Sequence, residues 1–196
     1  DCYVGSVLEQ IEQAGIHSGD SACCMPPYSL ADSMIAEIRE TTHKLAAACH
    51  VVGALNVQYA VHNGRLYVIE LNPRASRTVP FSSKSTGVPL ARMAALLMAG
   101  KKLSELNLPP EDRTFGYFAC KEAVLPFDRF PGADMTLGPE MKSTGEVMGV
   151  AKTFPAAYAK TQLAISYGLP TKGRVFISVR DRDKRAIIGV ARDLVG

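Results

Sequence analysis

Several features of membrane, secreted and nucleic-acid-binding proteins are missing from the sequence. No apolar run approaches the length of a bilayer-spanning helix, and the N-terminus lacks the pattern of a secretory signal. The five cysteines include no C-x-x-C pair, which disfavours a zinc site or a disulfide framework and makes a reducing cytoplasm the expected location. The net charge of +3 is too small to indicate binding to nucleic acid or to a membrane surface.

The most informative stretch runs over residues 53–77 and predicts a β-hairpin. Asn63-Gly64 is a strong hairpin-turn signal, and apolar residues alternate on either side of it at the period of a strand. One face of this hairpin is therefore ordinary core. The other face carries amides and a carboxylate, which make a poor core but a good cation site, namely Asn56, Gln58, Glu70 and Asn72.

The register of the hairpin decides whether these polar groups meet. A two-residue turn pairs residue 62 with residue 65 and places the amides among the apolar side chains of the other strand. A three-residue loop, with its glycine in a bulge, pairs residue 61 with residue 65, and the even positions of both strands then share a face. We favour the three-residue loop because it keeps both faces consistent, and it places Gln58 diagonal to Glu70.

Gln58, Glu70 and Asn72 then form a set of hard oxygen ligands that includes one carboxylate. This composition suits Mg²⁺, which proteins bind through one or two carboxylates together with substrate phosphates and water. Arg74 and Arg77 follow directly, and their guanidinium forks match phosphate oxygens. The combination suggests metal-assisted phosphoryl transfer. The competing interpretation is a polar strand edge beside a surface pair of arginines.

A second candidate segment lies near the N-terminus. Residues 14–21 form a small polar loop with two glycines, and such loops let backbone N–H groups approach phosphates closely. The loop lacks the G-K-[ST] ending of a Walker A motif. By itself it favours an ordinary connecting turn, and His17 by itself favours a hydrogen-bonded loop histidine over a ligand or a base.

The remaining elements are predicted from periodicity and punctuation. Helical spacing indicates an amphipathic helix over residues 30–50, with Ser29 and Asp32 as a capping-box-like pair. A helix over residues 89–99 starts at a proline and ends at Gly100. The other predicted segments are a strand at 2–8, an extended segment at 78–81, a strand at 115–125, solvated turns at 126–150, a helix at 154–166, a strand at 175–179 and a helix at 186–194.

These elements predict an α+β fold with a mainly antiparallel sheet centred on the hairpin. The helices over residues 30–50 and 89–99 should cover that sheet. The best boundary is Gly168-Leu-Pro170, because the strand and helix that follow it are typical of the opening of an α/β domain. The chain begins at Asp1 rather than Met and stops just after this pattern has begun, so we expect it to be a piece of a longer protein.

Four motifs, in order along the chain, resemble one known family. They begin at His17 (H-S-G-D-S), Leu71 (L-N-P-R-A-S-R-T-V-P-F), Gly138 (G-P-E-M-K-S-T-G-E-V-M) and Ile177 (I-S-V-R-D-R-D-K). They are similar to the large chain of carbamoyl-phosphate synthase, which contains two similar ATP-grasp halves, and the likeness covers essentially the whole chain. The continuation T-V-P-F after Arg77 looks like the second of those halves.

The resemblance implies a fold and an order of domains. The fold is the C-terminal subdomain of an ATP-grasp fold, followed by the first β/α unit of a methylglyoxal-synthase-like α/β domain. Residues 1–100 are the implied ATP-grasp subdomain, residues 101–168 a C-terminal extension of that half, and residues 169–196 the truncated start of a regulatory domain. The residues that grip adenine and ribose would lie before Asp1.

The resemblance also implies an activity. The second half phosphorylates carbamate with MgATP and gives carbamoyl phosphate and ADP, for pyrimidine and arginine biosynthesis. The implied cofactors are ATP and Mg²⁺ or Mn²⁺, and the implied partners are a small glutaminase chain and the other subunits of an oligomer. No nucleic-acid or membrane partner is expected, and the isolated polypeptide is expected to be inactive.

The same resemblance implies roles for individual residues. Gln58, Glu70 and Asn72 hold the metal ions, with Glu70 bridging two of them, and this agrees with the ligands inferred from the strand pattern. Arg74 and Arg77 match positions that face the transferring phosphate and carbamate, where they would neutralise charge and align the reactants. The implied nucleotide-binding residues are Gly15, Ile16, His17, Ser18, Gln58 and Glu70.

Two other interpretations stay open. Another ATP-grasp carboxylate–amine ligase, such as a biotin-carboxylase-like or peptide-ligase-like enzyme, would share the Glu-x-Asn metal pair. The T-V-P-F continuation and the β/α start that follows argue against that class. A protein of a different kind would be a noncatalytic regulatory or interaction fragment, in which the site residues persist without turnover.

Overall fold

The computed structural model describes residues 1–165 and 170–195, which form two antiparallel sheets and five α-helices. The strands are β1 (Glu9–Gln10), β2 (Cys23–Met25), β3 (Asn56–His62), β4 (Arg65–Asn72), β5 (Phe118–Val124) and β6 (Gly145–Ala151). The helices are α1 (Asp32–Ala48), α2 (Thr78–Thr86), α3 (Leu90–Met98), α4 (Phe154–Ile165) and α5 (Lys184–Val195). Within the described ranges, no helix is both long enough and apolar enough to cross a membrane.

The larger sheet has the strand order β1-β2-β5-β6, and the hairpin β3-β4 forms a separate two-stranded sheet. The core lies on both faces of the larger sheet because alternate side chains of its strands point to opposite sides. On one face, Met25 and Ala119 pack with Phe81 of α2. On the other face, Cys24 and Cys120 pack with Ala157 of α4.

Helix α4 packs so closely on β6 that Gly149 has no room for a side chain. A Cβ atom there would lie 2.2 Å from the carbonyl oxygen of Ala157 and 2.9 Å from the Cβ of Lys160. We expect Gly149→Ala to lower the free energy of unfolding by about 3 kcal/mol, because the α4 backbone would have to move. Gly145→Ala on the same strand is the matched control, since its Cβ would meet Val124 at an ordinary 3.8 Å. Chemical denaturation with equal midpoints for the two variants would contradict this packing.

The five cysteines are free thiols, and the environments of their side chains differ. Burial raises the pKa of Cys23 and Cys24 to about 12 and that of Cys120 to about 11. We expect the exposed Cys49 to react first with a thiol reagent at neutral pH, the half-buried Cys2 slowly, and the other three only after unfolding, because the thiolate is the nucleophile. A chromogenic disulfide reagent would count the thiols before and after denaturant, with Cys49→Ser as the control. Rapid labelling of three or more thiols in the native protein would be inconsistent with this core.

The four predicted helices and the strand predicted at 115–125 are confirmed within a few residues. The helices are those predicted at 30–50, 89–99, 154–166 and 186–194. The capping pair is wrong, because the N-cap of α1 is Ala31, which makes no side-chain cap. Ser29 instead donates its backbone N–H to the Glu9 carboxylate at 2.7 Å, which joins the start of α1 to β1.

Residues 2–8 do not form the predicted strand. Pairing with β2 starts only at Glu9, where the chain meets the end of the sheet. Before that point a backbone group finds a side-chain partner, since the N–H of Val4 donates to the Glu111 carboxylate at 2.5 Å. The apolar pattern of this segment was therefore a packing signal and not a signal of strand pairing.

Residues 78–81 form the first turn of α2 and are not extended as predicted. Pro80 is the third residue of that helix, where a backbone N–H has no intrahelical partner, so proline is tolerated. Phe81 is buried in the core beside the larger sheet, and the Ser85 hydroxyl donates to the Phe81 carbonyl at 2.6 Å. Burial of Phe81 therefore outweighs the extended preference of a Thr-Val-Pro sequence.

The segment at 175–179 is not the predicted strand. Phe176 is 91% exposed, and residues 170–180 pair with no strand in the part of the chain that the structure describes. Extended backbone needs a neighbouring strand to satisfy its polar groups. The boundary predicted at Gly168-Leu-Pro170, and with it the division between residues 168 and 169, falls on residues 166–169, which lie outside the described ranges.

The predicted position of the sheet also needs correction. The sheet centred on the hairpin has only two strands, and α1 lies against it, with the Thr42 hydroxyl 2.8 Å from that of Tyr59. The larger sheet is covered by α2 and α4. Strand β6 occupies part of residues 126–150, where solvated turns were expected. Strands from both sides of residue 100 share the larger sheet, so a division there would separate hydrogen-bonded neighbours, and that division stays a prediction.

Candidate active site

The hairpin has a two-residue turn, so the predicted three-residue loop is wrong. His62 pairs with Arg65 across the turn. Asn63 and Gly64 both have positive φ angles, 50° and 72°, as a type I′ turn requires. An Asn-Gly pair adopts this conformation at little cost, and its twist matches that of the flanking strands, so the tighter turn is favoured locally.

A β-bulge further along the hairpin restores the alignment that the tight turn would otherwise lose. Tyr59 pairs with Val68, whereas Gln58 pairs with Glu70, so Ile69 is the extra residue on β4. Beyond the bulge, even positions of β3 lie opposite even positions of β4, as predicted, although by a different route. Gln58 therefore lies directly opposite Glu70 and not diagonal to it.

Four polar side chains meet at the open end of this hairpin, and we call them the amide–carboxylate cluster: Ser18, Gln58, Glu70 and Asn72. The Nδ2 atom of Asn72 lies 2.6 Å from Oε1 of Glu70, and Nε2 of Gln58 lies 3.5 Å from Oε2 of the same carboxylate. The Gln58 amide also donates to the Ser18 hydroxyl at 3.3 Å. The structure therefore joins the predicted metal ligands to each other and to the N-terminal loop.

The loop at residues 14–21 is held as a series of tight turns. The backbone N–H of Gly19 donates to Nδ1 of His17 at 2.9 Å, and the N–H of Asp20 donates to the His17 carbonyl at the same distance. The N–H of His17 donates to the carbonyl of Gly138 at 2.8 Å. The His17 ring therefore stabilises its own loop, as its sequence context favoured, while Ser18 is directed toward the hairpin.

A buried lysine supports this loop from below. Lys121 of β5 is 1% exposed, and its ammonium donates to the Ser18 carbonyl at 3.3 Å and lies 4.0 Å from the Glu146 carboxylate of β6. A buried charge needs such partners to offset its desolvation. Lys121 was given no role from the sequence, although the charged pair Lys121-Glu122 within an apolar strand was the available signal.

A cleft of about 1130 Å³ opens between the hairpin, α1, α3 and the N-terminal segment. It is lined by all six residues predicted to bind the nucleotide, which are Gly15, Ile16, His17, Ser18, Gln58 and Glu70. Apolar side chains such as Leu55, Val57 and Leu97 form the rest of its wall, and Asn72, Arg74 and Arg77 are not among the lining residues. The cleft is therefore large enough and amphipathic enough for a nucleotide-sized ligand.

The two predicted phosphate-facing arginines are held differently. Arg77 is exposed, and its Nη1 donates to the sulfur of Met141 at 2.8 Å and to the Ser143 hydroxyl at 3.2 Å. Arg74 is also exposed, but among the described residues its Nη1 donates only to the neighbouring Ala75 carbonyl at 3.0 Å. The Arg77 guanidinium is therefore oriented by a distant segment of the chain, whereas that of Arg74 is held only locally.

A buried carboxylate, that of Asp20, holds the backbone next to the residues that contact Arg77. Asp20 is 1% exposed, and it accepts hydrogen bonds from the backbone N–H groups of Lys142 at 2.7 Å and Ser143 at 2.9 Å. Burial raises the pKa of Asp20, but these hydrogen bonds outweigh that effect and hold it below its ordinary value. Because a depressed pKa means a stabilising carboxylate, its contribution is present above the unfolded-state pKa and is lost as pH falls through the folded one.

The donor atoms of the amide–carboxylate cluster fit a magnesium ion. A carboxylate, two side-chain amides and a hydroxyl supply hard oxygens, and a half-turn of either amide points its oxygen where its nitrogen now lies. Within the described ranges, no group of three or more His, Cys, Asp or Glu side chains could hold a metal. A metal at this site would therefore depend on amide oxygens.

Comparison with known proteins identifies the family of this chain. A family model described as "Carbamoyl-phosphate synthase L chain, ATP binding domain" matches residues 3–106. The chain is 56% identical over 195 residues to the carbamoyl phosphate synthase large chain of Pseudomonas syringae pv. tomato and 58% identical over 184 residues to that of Archaeoglobus fulgidus. These alignments cover 100% and 94% of this chain, but only 18% and 17% of the relatives.

A solved structure shows the same type of fold at low sequence identity. It is a single-chain, multi-domain long-chain acyl-CoA carboxylase, with a TM-score of 0.59 and 16% identity over 74% of this chain and 18% of that protein. At this identity the likeness concerns the fold alone, which is an ATP-grasp-type antiparallel sheet with flanking helices. With the family model matching more than half of its length, this chain belongs to the carbamoyl-phosphate synthase large-chain family.

Proposed function

We propose that this chain is the C-terminal part of the second ATP-grasp half of a carbamoyl-phosphate synthase large chain. In that role it supplies one side of a site that phosphorylates carbamate with MgATP, giving carbamoyl phosphate and ADP. The chain spans about 18% of the length of the curated relatives it matches, so this activity is proposed for the larger protein. The opposite side of the site would come from a part of that protein outside the present chain.

The observation that carries the proposal is the meeting of the hairpin with the N-terminal loop. Residues no more than 54 positions apart in the chain supply a hydroxyl, two amides and one carboxylate to one cluster, and the first three of them line the cleft: Ser18, Gln58, Glu70 and Asn72. A polar strand edge alone would not require the loop to reach it. A metal-phosphate site does require it, because the ion and the phosphates it carries must be held from two sides.

We assign the residues to three tasks. Gln58, Glu70 and Asn72 would hold Mg²⁺ or Mn²⁺, which supplies neutralising charge between the phosphate oxygens when bound. Arg74 and Arg77 would stabilise negative charge on the transferring phosphoryl group and carbamate. The loop residues Gly15, Ile16, His17 and Ser18, with Gln58 and Glu70, would contact the nucleotide.

The wider setting of the protein follows from the family in the same way. We propose a cytoplasmic enzyme of pyrimidine and arginine biosynthesis that is oligomeric and receives ammonia from a small glutaminase chain. Five free cysteines are in keeping with a reducing compartment. We also propose that α5 belongs to a regulatory, methylglyoxal-synthase-like domain, and its amphipathic sequence with exposed Ile188 and Leu194 supports a position at the edge of a further unit.

The present chain by itself is expected to show no measurable ATP-dependent synthesis, because it holds one side of the proposed site. The measurement is a coupled assay with carbamate, ATP and Mg²⁺. The full-length large chain that contains this segment, prepared and assayed in parallel, is the positive control. Turnover by the isolated chain well above background would refute this prediction.

The carbamate reaction itself is best tested in reverse in the full-length chain. A site that transfers a phosphoryl group from ATP to carbamate must also form ATP from carbamoyl phosphate and ADP, whereas another carboxylate–amine ligase would not use carbamoyl phosphate.

Titration of a nonhydrolysable ATP analogue with Mg²⁺ into the wild type and Glu70→Ala separates a noncatalytic fragment from an active site. Equal binding to both proteins, or no ATP formation, would count against the proposal.

A further inference from the structure

Asp20 links the N-terminal loop to a segment more than a hundred residues away, and that segment carries the contacts of Arg77. We infer that Asp20 is a positioning residue that sets the orientation of the Arg77 guanidinium through the segment at residues 141–143. The inference deepens the proposed function and rests on it, since it gives Arg77 a place in phosphoryl transfer. Asp20 itself lies below the cleft surface and need not touch a substrate.

The carboxylate of Asp20 makes one bond with each of its two oxygens. Oδ2 accepts from the N–H of Lys142 at 2.7 Å, and Oδ1 accepts from the N–H of Ser143 at 2.9 Å. Two successive backbone groups are therefore fixed by a single carboxylate that is 1% exposed. At such burial water cannot replace these bonds, so the position of residues 141–143 depends on Asp20.

The side chain of Ser143 connects the fixed backbone to Arg77 through a hydrogen bond. Its hydroxyl donates to the Gly19 carbonyl at 2.9 Å and accepts from Nη1 of Arg77 at 3.2 Å. The same guanidinium nitrogen donates to the sulfur of Met141, two residues before Ser143. The contacts of the Arg77 side chain therefore come from the two residues that flank Lys142, whose N–H Asp20 holds.

The rest of this segment is tied mainly to itself. The Lys142 ammonium donates to the carbonyls of Asp134 at 2.9 Å and Thr136 at 2.8 Å, and it lies 3.7 Å from the Asp134 carboxylate. One further bond, from the His17 N–H to the Gly138 carbonyl, attaches the segment to the N-terminal loop. The segment is therefore a small closed loop, and Asp20 anchors the end of it that faces Arg77.

The backbone of Arg77 does not need this support. Arg77 is the N-cap residue of α2, and its backbone φ and ψ angles are helical. Its main chain is therefore fixed by the helix, and only its side chain remains to be oriented. A long side chain that is not held samples many rotamers, and misplacing a catalytic charge by about 1 Å can cost on the order of 10²-fold in rate. Positioning of this kind is what the Asp20–Ser143 link supplies.

The test uses the full-length large chain and the formation of ATP from carbamoyl phosphate and ADP. Asp20→Asn keeps the size of the side chain but turns an amide N–H toward a backbone N–H, and Ser143→Ala removes only the hydroxyl. We expect each variant to lower kcat about tenfold while the KM for ADP stays within about threefold. Asp112→Asn, an exposed aspartate away from the cleft, is the matched control and should keep the wild-type kcat.

A double-mutant cycle separates positioning from a general loss of stability. If Asp20 and Ser143 act through Arg77, neither substitution lowers kcat by more than about twofold once Arg77 is already alanine. A further tenfold loss in the Arg77→Ala background would overturn the inference. A wild-type kcat for Ser143→Ala would also overturn the inference. If Asp20→Asn does not fold, the kcat of Ser143→Ala tests the inference by itself. A wild-type kcat for Arg77→Ala alone would instead overturn the proposed function of that residue.

Discussion

Replacing Glu70 by glutamine in the full-length large chain is expected to reduce phosphoryl transfer by about 10²–10³-fold, a magnitude typical of removing one preorganised electrostatic group. Glu70 is the only carboxylate of the amide–carboxylate cluster, and it contacts two of the other three members. Glutamine has the same shape but no charge, so it cannot balance a divalent cation. Because Glu70 is exposed, the free energy of unfolding should change little.

Two measurements check this prediction. Titration of Mn²⁺ followed by electron paramagnetic resonance should show weaker metal binding in Glu70→Gln, and kcat should fall in parallel. Glu40→Gln is the matched control, because Glu40 is an exposed carboxylate whose partner is Lys44, one helical turn away at 2.6 Å. Unchanged Mn²⁺ affinity together with a kcat within twofold of the wild type would remove the metal site from the proposal.

Replacing Arg77 by alanine is expected to cost about 10²-fold in kcat with little change in the KM for nucleotide, because the charge acts mainly in the transition state. The same change at Arg74 should cost about tenfold, since that guanidinium donates to the carbonyl of its neighbour Ala75 and is less well positioned. Arg77→Lys should fall between the wild type and Arg77→Ala, because lysine keeps the charge but loses the planar fork.

The comparison of the two arginines is the sharper part of this prediction. Arg65→Ala serves as the control, because Arg65 is exposed at the far end of the same hairpin. Steady-state kinetics of all four variants, with folding checked by circular dichroism, gives the ranking. A larger loss for Arg74→Ala than for Arg77→Ala would mean that the contacts with Met141 and Ser143 do not prepare Arg77 for catalysis.

The hairpin shows how far its sequence could be interpreted and where it misled. The prediction that Gln58 and Glu70 share a face is confirmed, but the three-residue loop predicted to bring them together is wrong. The turn follows the local preference of Asn-Gly, and a bulge at Ile69 corrects the alignment several residues later. A bulge leaves little trace in a hydrophobic pattern, so only the coordinates could reveal it.

No pattern in the sequence indicated the contacts that join the N-terminal loop, residues 141–143 and Arg77. The bonds from Asp20 to Lys142 and Ser143 join positions more than 120 residues apart. Lys121 looked like an ordinary charged residue, yet it is buried under Ser18. No periodicity reports which distant backbone group a buried charge will meet, because that depends on how the strands are ordered in the sheet.

Short-range chemistry by itself determined the amphipathic helices, the hairpin with a polar face and the choice of oxygen donors and guanidiniums, because each of these depends on residues only a few positions apart. Tertiary structure decided that residues 78–81 form a helix, that residues 175–179 pair with no strand among the described residues and that the hairpin lies outside the larger sheet. These outcomes depend on which surfaces are buried together, and burial is a property of the whole chain.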